Sequence, residues 1–366
     1  MTFPRGLDAR SLLRALPWLL LPAAMASAPL HAPAPLRFAL GGAALVPLAG
    51  VLGVATEQLA ARLGPVAAGL LNATCGNAAE LIIAILALRR GLVAVVQASL
   101  SGSIIANLLL VLGAALLAGG LRRPVQRFSA LAAESQLGSL ALAVFALLLP
   151  AVFFHLASLA HREELAWPLS LGVAVVLLAV YAAALLFSLR THRHLVGAGE
   201  GGRTLTWSTR RAVVVLLFAG GATAAASEVL VGSVEETAHA LSLGPVFLGV
   251  VVVAMLGNAA EHAAAVFLAW REQMDAAISV CLASSLQVAL FVTPVLVLLS
   301  LPLGHPMTLV FSAVEVMAVA MAVALAGLVI LNGESNWLEG VQLLALYVIL
   351  AVCLALLPPG EALRPF

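Results

Sequence analysis

The chain has no lysine: all 18 basic residues are arginines, and charge of either sign makes up only 10% of the 366 positions. Soluble domains carry about 25% charged residues and about 45–50% apolar ones. Here 63% of residues are hydrophobic and the mean hydropathy is +1.12. So little charge excludes a soluble globular protein. A net charge of +1 with arginines scattered along the chain leaves no electrostatic footprint for nucleic acid. Cysteine is also scarce. Cys75, Cys281 and Cys353 lie in apolar segments without CxxC spacing, which excludes a disulfide framework and a zinc site of recognisable pattern. No H-E-x-x-H is present, so an intramembrane metalloenzyme lacks its ligands.

What the chain does have is long apolar runs. A bilayer-spanning helix needs about 20 apolar residues, and eleven stretches qualify, at 14–31, 37–62, 65–88, 92–120, 129–150, 166–189, 211–232, 245–270, 276–300, 307–331 and 337–357. The expected fold is an all-α integral membrane protein of about eleven transmembrane helices. Ala24-Met25-Ala26 resembles a signal-peptidase site, but the first span is expected to be retained. With the N-terminus in the cytoplasm, 13 of the 18 arginines fall inside and five outside, in keeping with the positive-inside rule. The C-terminus is then outside, and a bacterial inner membrane is the expected location.

Residues 190–210 form the longest polar interruption, rich in glycine and charge, as expected of a flexible linker. They divide the chain into an N-terminal segment with the first helix (1–31), a first repeat (32–190, helices two to six), a linker (191–210) and a second repeat (211–366, helices seven to eleven). The halves are related. Gly76-Asn77-Ala78-Ala79-Glu80 recurs as Gly257-Asn258-Ala259-Ala260-Glu261, Gly64-Pro65 recurs as Gly244-Pro245, and a serine follows each glutamate by 23 residues, Ser103 and Ser284. Five spans per repeat invert the second against the first, and inverted repeats place substrate sites near the midplane, at their interface.

Ionisable groups in apolar helices are costly and mark function. Glu80 and Glu261 would reach similar depth and repel each other. A divalent cation or two protons relieves that repulsion, but not both at once, which is a physical basis for exchange. Hard cations such as Ca²⁺ take 6–8 oxygen ligands, and the two carboxylates could supply four. Gly76 and Gly257 either loosen the helices and expose carbonyls or permit close helix packing, while Asn77 and Asn258 orient neighbouring polar groups. Gln97 and Gln287 are buried amides that need partners, and Ser103 and Ser284 line the path or bond locally. Glu57, Glu228 and Glu315 are candidates for an entry or proton path. His262, directly after Glu261, is a candidate for tuning proton affinity.

These residues resemble the Ca²⁺/H⁺ antiporter (CAX) family of the Ca²⁺/cation exchanger superfamily. Leu71 to Ile82 resembles that family's first repeat motif, and Gly257-Asn258-Ala259-Ala260-Glu261-His262 resembles the second. The resemblance implies eleven spans, ten of them in inverted repeats. It further implies Ca²⁺ bound by Glu80 and Glu261 and exchanged for protons by alternating access. Ca²⁺ and H⁺ are then substrates, no cofactor is expected, the lipid bilayer is the surrounding partner, and the oligomeric state stays open. One family feature is missing: residues 190–210 hold Glu200 as their only acid, so regulation through an acidic helix is not expected. A Na⁺/Ca²⁺ or other divalent-cation exchanger of the same fold, and a channel, are the competing readings.

Overall fold

Hydrocarbon offers the backbone no hydrogen-bond partners, so a segment crossing it alone must be helical. The computed structural model describes residues 19–63, 65–156, 163–187 and 206–357, and nearly all of them are helical. A helix over residues 19–27 (α1) is followed by α2 (Ala34–Ala60), α3 (Pro65–Cys75), α4 (Ala78–Arg89), α5 (Val93–Gly120), α6 (Ala130–Leu156) and α7 (Ala166–Leu186). The second half holds α8 (Thr209–Val231), α9 (Val234–Leu241), α10 (Leu248–Gly257), α11 (Ala259–Trp270), α12 (Met274–Ser300), α13 (Ala313–Ile330) and α14 (Trp337–Leu356). Two short strands, β1 (Gln126–Arg127) and β2 (Glu334–Ser335), pair antiparallel and tie the α5–α6 loop to the α13–α14 loop.

Among the described residues, eight helices are long and apolar enough to cross a membrane, counting α8 and α9 as one. The pair α10 and α11, bent by 69°, makes a ninth. This is an all-α integral membrane protein. The expected count of eleven is not reached among these residues for two reasons. The expected first span begins in residues 14–18, which lie outside the description, as do linker residues 191–205. The expected span at 65–88 divides at Gly76-Asn77 into helices of 11 and 12 residues, each too short to cross by itself.

The element order repeats: a long helix, a broken pair, a long helix, then two more. A shift of 181 positions carries Gly76 onto Gly257, Glu80 onto Glu261 and Ser103 onto Ser284. It also aligns two stretches of wider π-helix, Ala106–Val111 in α5 and Val288–Val292 in α12. Such turns occur often at functional sites. Counting each broken pair as one crossing gives five per half, which turns the second half over relative to the first.

Small residues let these helices approach closely, as packing in lipid requires. A Cβ on Gly102 of α5 would lie 2.4 Å from the Val250 carbonyl oxygen of α10, and one on Gly249 would lie 2.5 Å from Ala98 Cβ. Gly340 of α14 meets Leu117 of α5 in the same way, at 2.5 Å from its nitrogen. Helix α5 is therefore the most enclosed of the long helices. By contrast, α6 and α7 leave Leu142, Phe145, Val175 and Val176 exposed, the surface a bilayer would cover.

Candidate cation site between the broken helices

Each motif asparagine sits at a helix break. Asn77 (φ −96°, ψ 18°) precedes α4 and Asn258 (φ −107°, ψ 9°) precedes α11, and neither side chain caps the helix that it starts. Asparagine at such a position ordinarily bonds its own first turn. Here both amides reach across to the other repeat. Asn258 Nδ2 donates to Glu80 Oε1 and lies 3.1 Å from Ser103 Oγ, which itself donates to Glu80 Oε1 at 2.6 Å. Asn77 Nδ2 donates to Gln287 Oε1 at 2.7 Å. Ser284, beside Glu261, accepts from Asn107 Nδ2 at 3.0 Å.

The two glutamates thus have related but unequal surroundings: Glu80 is bonded directly by an asparagine of the opposite repeat, whereas Asn77 bonds Gln287 and Asn107 bonds Ser284. Asn258, three residues before Glu261, brings the second motif into direct contact with Glu80. Gly257 packs directly on Glu80, where an added Cβ would lie 3.0 Å from Glu80 Cγ. Glu80 Oε2 and Glu261 Oε2 are buried, and among the described residues neither has a hydrogen-bond partner. Orphaned carboxylate oxygens at membrane depth are costly and call for a proton or a cation. Among the described residues, no group of three or more His, Cys, Asp or Glu side chains could hold a metal. A cation here would complete its shell with neutral oxygens from amides, hydroxyls and the backbone, which suits a hard ion.

The space around the two glutamates is unequal. A cavity of about 460 Å³ is lined by Gly50, Gly53 and Glu57 of α2 together with Gly76, Asn258, Glu261 and Gln287. It extends along α2 to Thr56 and Glu57, next to Gln58 and Arg62, which bond the backbone of Thr206 and Trp207. On the other side of Glu80 the space shrinks to about 10 Å³, next to Ser99, Ser103 and Val253. Beyond it, Ile83, Leu92, Val95, Val231 and Val234 form an apolar wall. That closed end is crossed by ion pairs between Arg90 and Glu228 and between Arg37 and Glu236.

The remaining candidates from the sequence scatter. Glu57 is exposed within the cavity lining. Glu228 lies on the closed end, paired with Arg90. Gln97 Nε2 donates to the Thr308 carbonyl at 2.8 Å, away from both glutamates. His262 is half-buried, its Nε2 lacks a partner, and it does not line the cavity. Glu315 is buried at the start of α13, bonded to Ser312 and Ser101. Asn107 stands out in the sequence as a polar residue at membrane depth, with no site role expected of it. Its signal is the broken repeat: the corresponding position in the second half is Val288, so asparagine here serves the other repeat's serine.

The family model for the sodium/calcium exchanger protein matches residues 33–190 and 211–356, both halves and nearly the whole described chain. The chain belongs to that family. The Ca(2+)/H(+) antiporter of Synechocystis is 44% identical over 336 residues, covering 86% of this chain and 89% of the relative. The Ca(2+)/H(+) antiporter ChaA of Bacillus subtilis is 40% identical over 329 residues, covering 88% and 93%. The solved structure of native YfkE superposes with a TM-score of 0.83 at 36% identity, over 94% of this chain and 100% of that one. The resemblance of the paired motifs to the CAX family is thereby matched across the chain, within a family of membrane transporters.

Proposed function

We propose that the protein is a secondary active transporter that exchanges Ca²⁺ for H⁺ by alternating access at a midplane site formed by Glu80 and Glu261. The observation that carries this reading is the pair of orphaned carboxylate oxygens, one from each repeat, with Glu261 lining the large cavity and Glu80 the small space next to it. Two facing carboxylates favour either a divalent ion or protons, so loading one expels the other. Relatives named Ca(2+)/H(+) antiporters at 40% and 44% identity support protons as the counter-ion.

The domains proposed are those expected above: residues 1–31, a first repeat at 32–190, a linker at 191–210 and a second repeat at 211–366. We place the N-terminus in the cytoplasm of a bacterial inner membrane by arginine distribution. The cavity beside Glu57 then faces the cytoplasm, and the Arg90–Glu228 end faces outward. Reconstituted vesicles provide the test. Ca²⁺ added outside should drive protons out, detected by an internal pH dye, and an imposed pH gradient should drive Ca²⁺ uptake. Uptake that follows a Na⁺ gradient and ignores pH would establish the Na⁺/Ca²⁺ alternative. Ca²⁺ flux without proton movement would establish a channel.

A further inference from the structure

Glu315 is the buried carboxylate that the exchange scheme leaves unused. It occupies the third residue of α13 and completes a capping box: Ser312 N–H and Ser312 Oγ donate to Glu315 Oε2 at 3.0 and 2.7 Å, and Ser312 Oγ accepts from Glu315 N–H. Such a box uses one acceptor oxygen, and glutamine serves there as well as glutamate. Here the other oxygen, Oε1, accepts from Ser101 Oγ of α5 at 2.8 Å. A serine in a helix can satisfy its hydroxyl on its own backbone, and Ser101 has the Gln97 and Ala98 carbonyls in reach at 3.2 and 3.1 Å. The bond to Glu315 is an interhelical tie that neither helix needs for its own formation.

Its location gives the tie a purpose. Ser101, Gly102 and Ser103 are consecutive on α5, and each addresses a different helix: Ser101 meets Glu315 of α13, Gly102 packs on Val250 of α10, and Ser103 bonds Glu80 of α4. The other repeat handles the corresponding junction differently. Ser129 precedes α6 and its hydroxyl accepts from Ala132 N–H, and the residue that the 181-position shift matches to Glu315 is Glu134, which is exposed and not buried. The carboxylate that accepts Ser129 N–H, at 2.7 Å, belongs to Asp275 in the first turn of α12. That tie is exposed at the end of the bundle, far along α12 from Ser284. The Glu315 tie is buried two residues from Ser103.

We propose that Glu315 is a positioning residue: its carboxylate, anchored at the start of α13, holds Ser101 and thereby sets the register in which α5 presents Ser103 to Glu80. This rests on the Ca²⁺/H⁺ reading above. The test compares Glu315→Ala, Ser101→Ala, their double variant, Glu315→Gln and, as a control for a lost cap, Asp275→Ala. Ca²⁺ binding is measured calorimetrically on purified full-length protein, and Ca²⁺-driven proton movement in vesicles. Glu315→Ala and Ser101→Ala should each raise half-saturating Ca²⁺ about fivefold to tenfold, the equivalent of one hydrogen bond of ordinary strength. Maximal rate should stay within about twofold, and the double variant should be no worse than Glu315→Ala, as for two residues in one interaction. Glu315→Gln should rescue, with its carbonyl oxygen on Ser312 and its amide toward Ser101. Asp275→Ala should leave Ca²⁺ affinity unchanged.

An unshifted Ser101→Ala, an additive double variant, or Glu315→Gln as harmful as Glu315→Ala would each overturn the proposal. If Glu315→Ala does not fold, Ser101→Ala and Glu315→Gln still decide it. Wild-type protein that binds no Ca²⁺ or moves no protons would instead defeat the exchange reading itself.

Discussion

Helices α3 and α10 correspond in the two repeats, and they do not sit alike. Helix α10 lies against α5 with Gly249 on Ala98 and Gly102 on Val250, and its residues Leu248–Val253 are wound as π-helix. The corresponding stretch of α3 is ordinary α-helix and borders the cavity at Asn72. One broken helix packs tightly on α5 while its counterpart borders the cavity. Repeats of similar sequence in two arrangements are what alternating access requires, because exchanging the arrangements would open the opposite end.

The sharpest way to break this comparison is to remove either glutamate. Glu80→Gln and Glu261→Gln should each reduce Ca²⁺-driven proton movement in vesicles to background. Wild-type exchange in both would show that the two glutamates do not form one site. The next effect is steric. Gly102→Ala places a methyl 2.4 Å from the Val250 carbonyl, and overpacking of this kind costs about 1–3 kcal/mol. Transport at saturating Ca²⁺ should fall about tenfold if α5 and α10 must close. Ala283→Gly at the matching place in α12 should change it less than about twofold, within the cost of a surface-like substitution.

Accessibility tests the same asymmetry. In a background lacking the three native cysteines, Gly53→Cys should react with a charged maleimide added from the side the cavity faces, and Val234→Cys should not react from either side. Equal labelling would mean that the apolar wall is not closed. Arg90→Gln should speed exchange modestly by loosening the closed end, by less than about fivefold, because a half-exposed ion pair contributes about 0–1 kcal/mol.

The smallest effect is outside the membrane, in the α11–α12 turn. Hydrogen bonding and charge from Arg123 hold the Glu272 carboxyl below its ordinary value of 4.5. A depressed carboxyl contributes stability above its ordinary value and loses it as pH falls through the lowered one. Glu272→Gln should therefore lower the melting temperature slightly at pH 7, with the difference vanishing in acid.

The duplicated motif and the glutamate-to-serine spacing were legible because apolar sequence makes each polar residue conspicuous and chain position alone relates the repeats. The span at 92–120 came out as α5 almost to the residue because glycine and arginine bound it. The partnerships were not legible. That Asn258 serves Glu80, and Asn107 serves Ser284, depends on how two helix breaks face each other, and no spacing along one chain encodes that. Nor could hydropathy find the break within 65–88, since glycine and asparagine lower the average too little to interrupt an apolar window. Glu228 read as a path residue because the arginine it pairs with lies 138 positions away.

The π-wound turn at Leu248–Val253 has a mechanical consequence. It holds one residue more than an α-turn would, and each residue advances an α-helix by about 100° of rotation. The helix downstream is thereby set out of phase with the helix upstream by that angle. Asn258, which bonds Glu80, lies on the downstream side of this offset. A one-residue deletion within the turn would restore continuous winding, keep every apolar side chain in hydrocarbon, and swing the amide away from the carboxylate. The molecule thus carries one extra residue in α10, between the stretch packed on α5 and the asparagine that bonds Glu80.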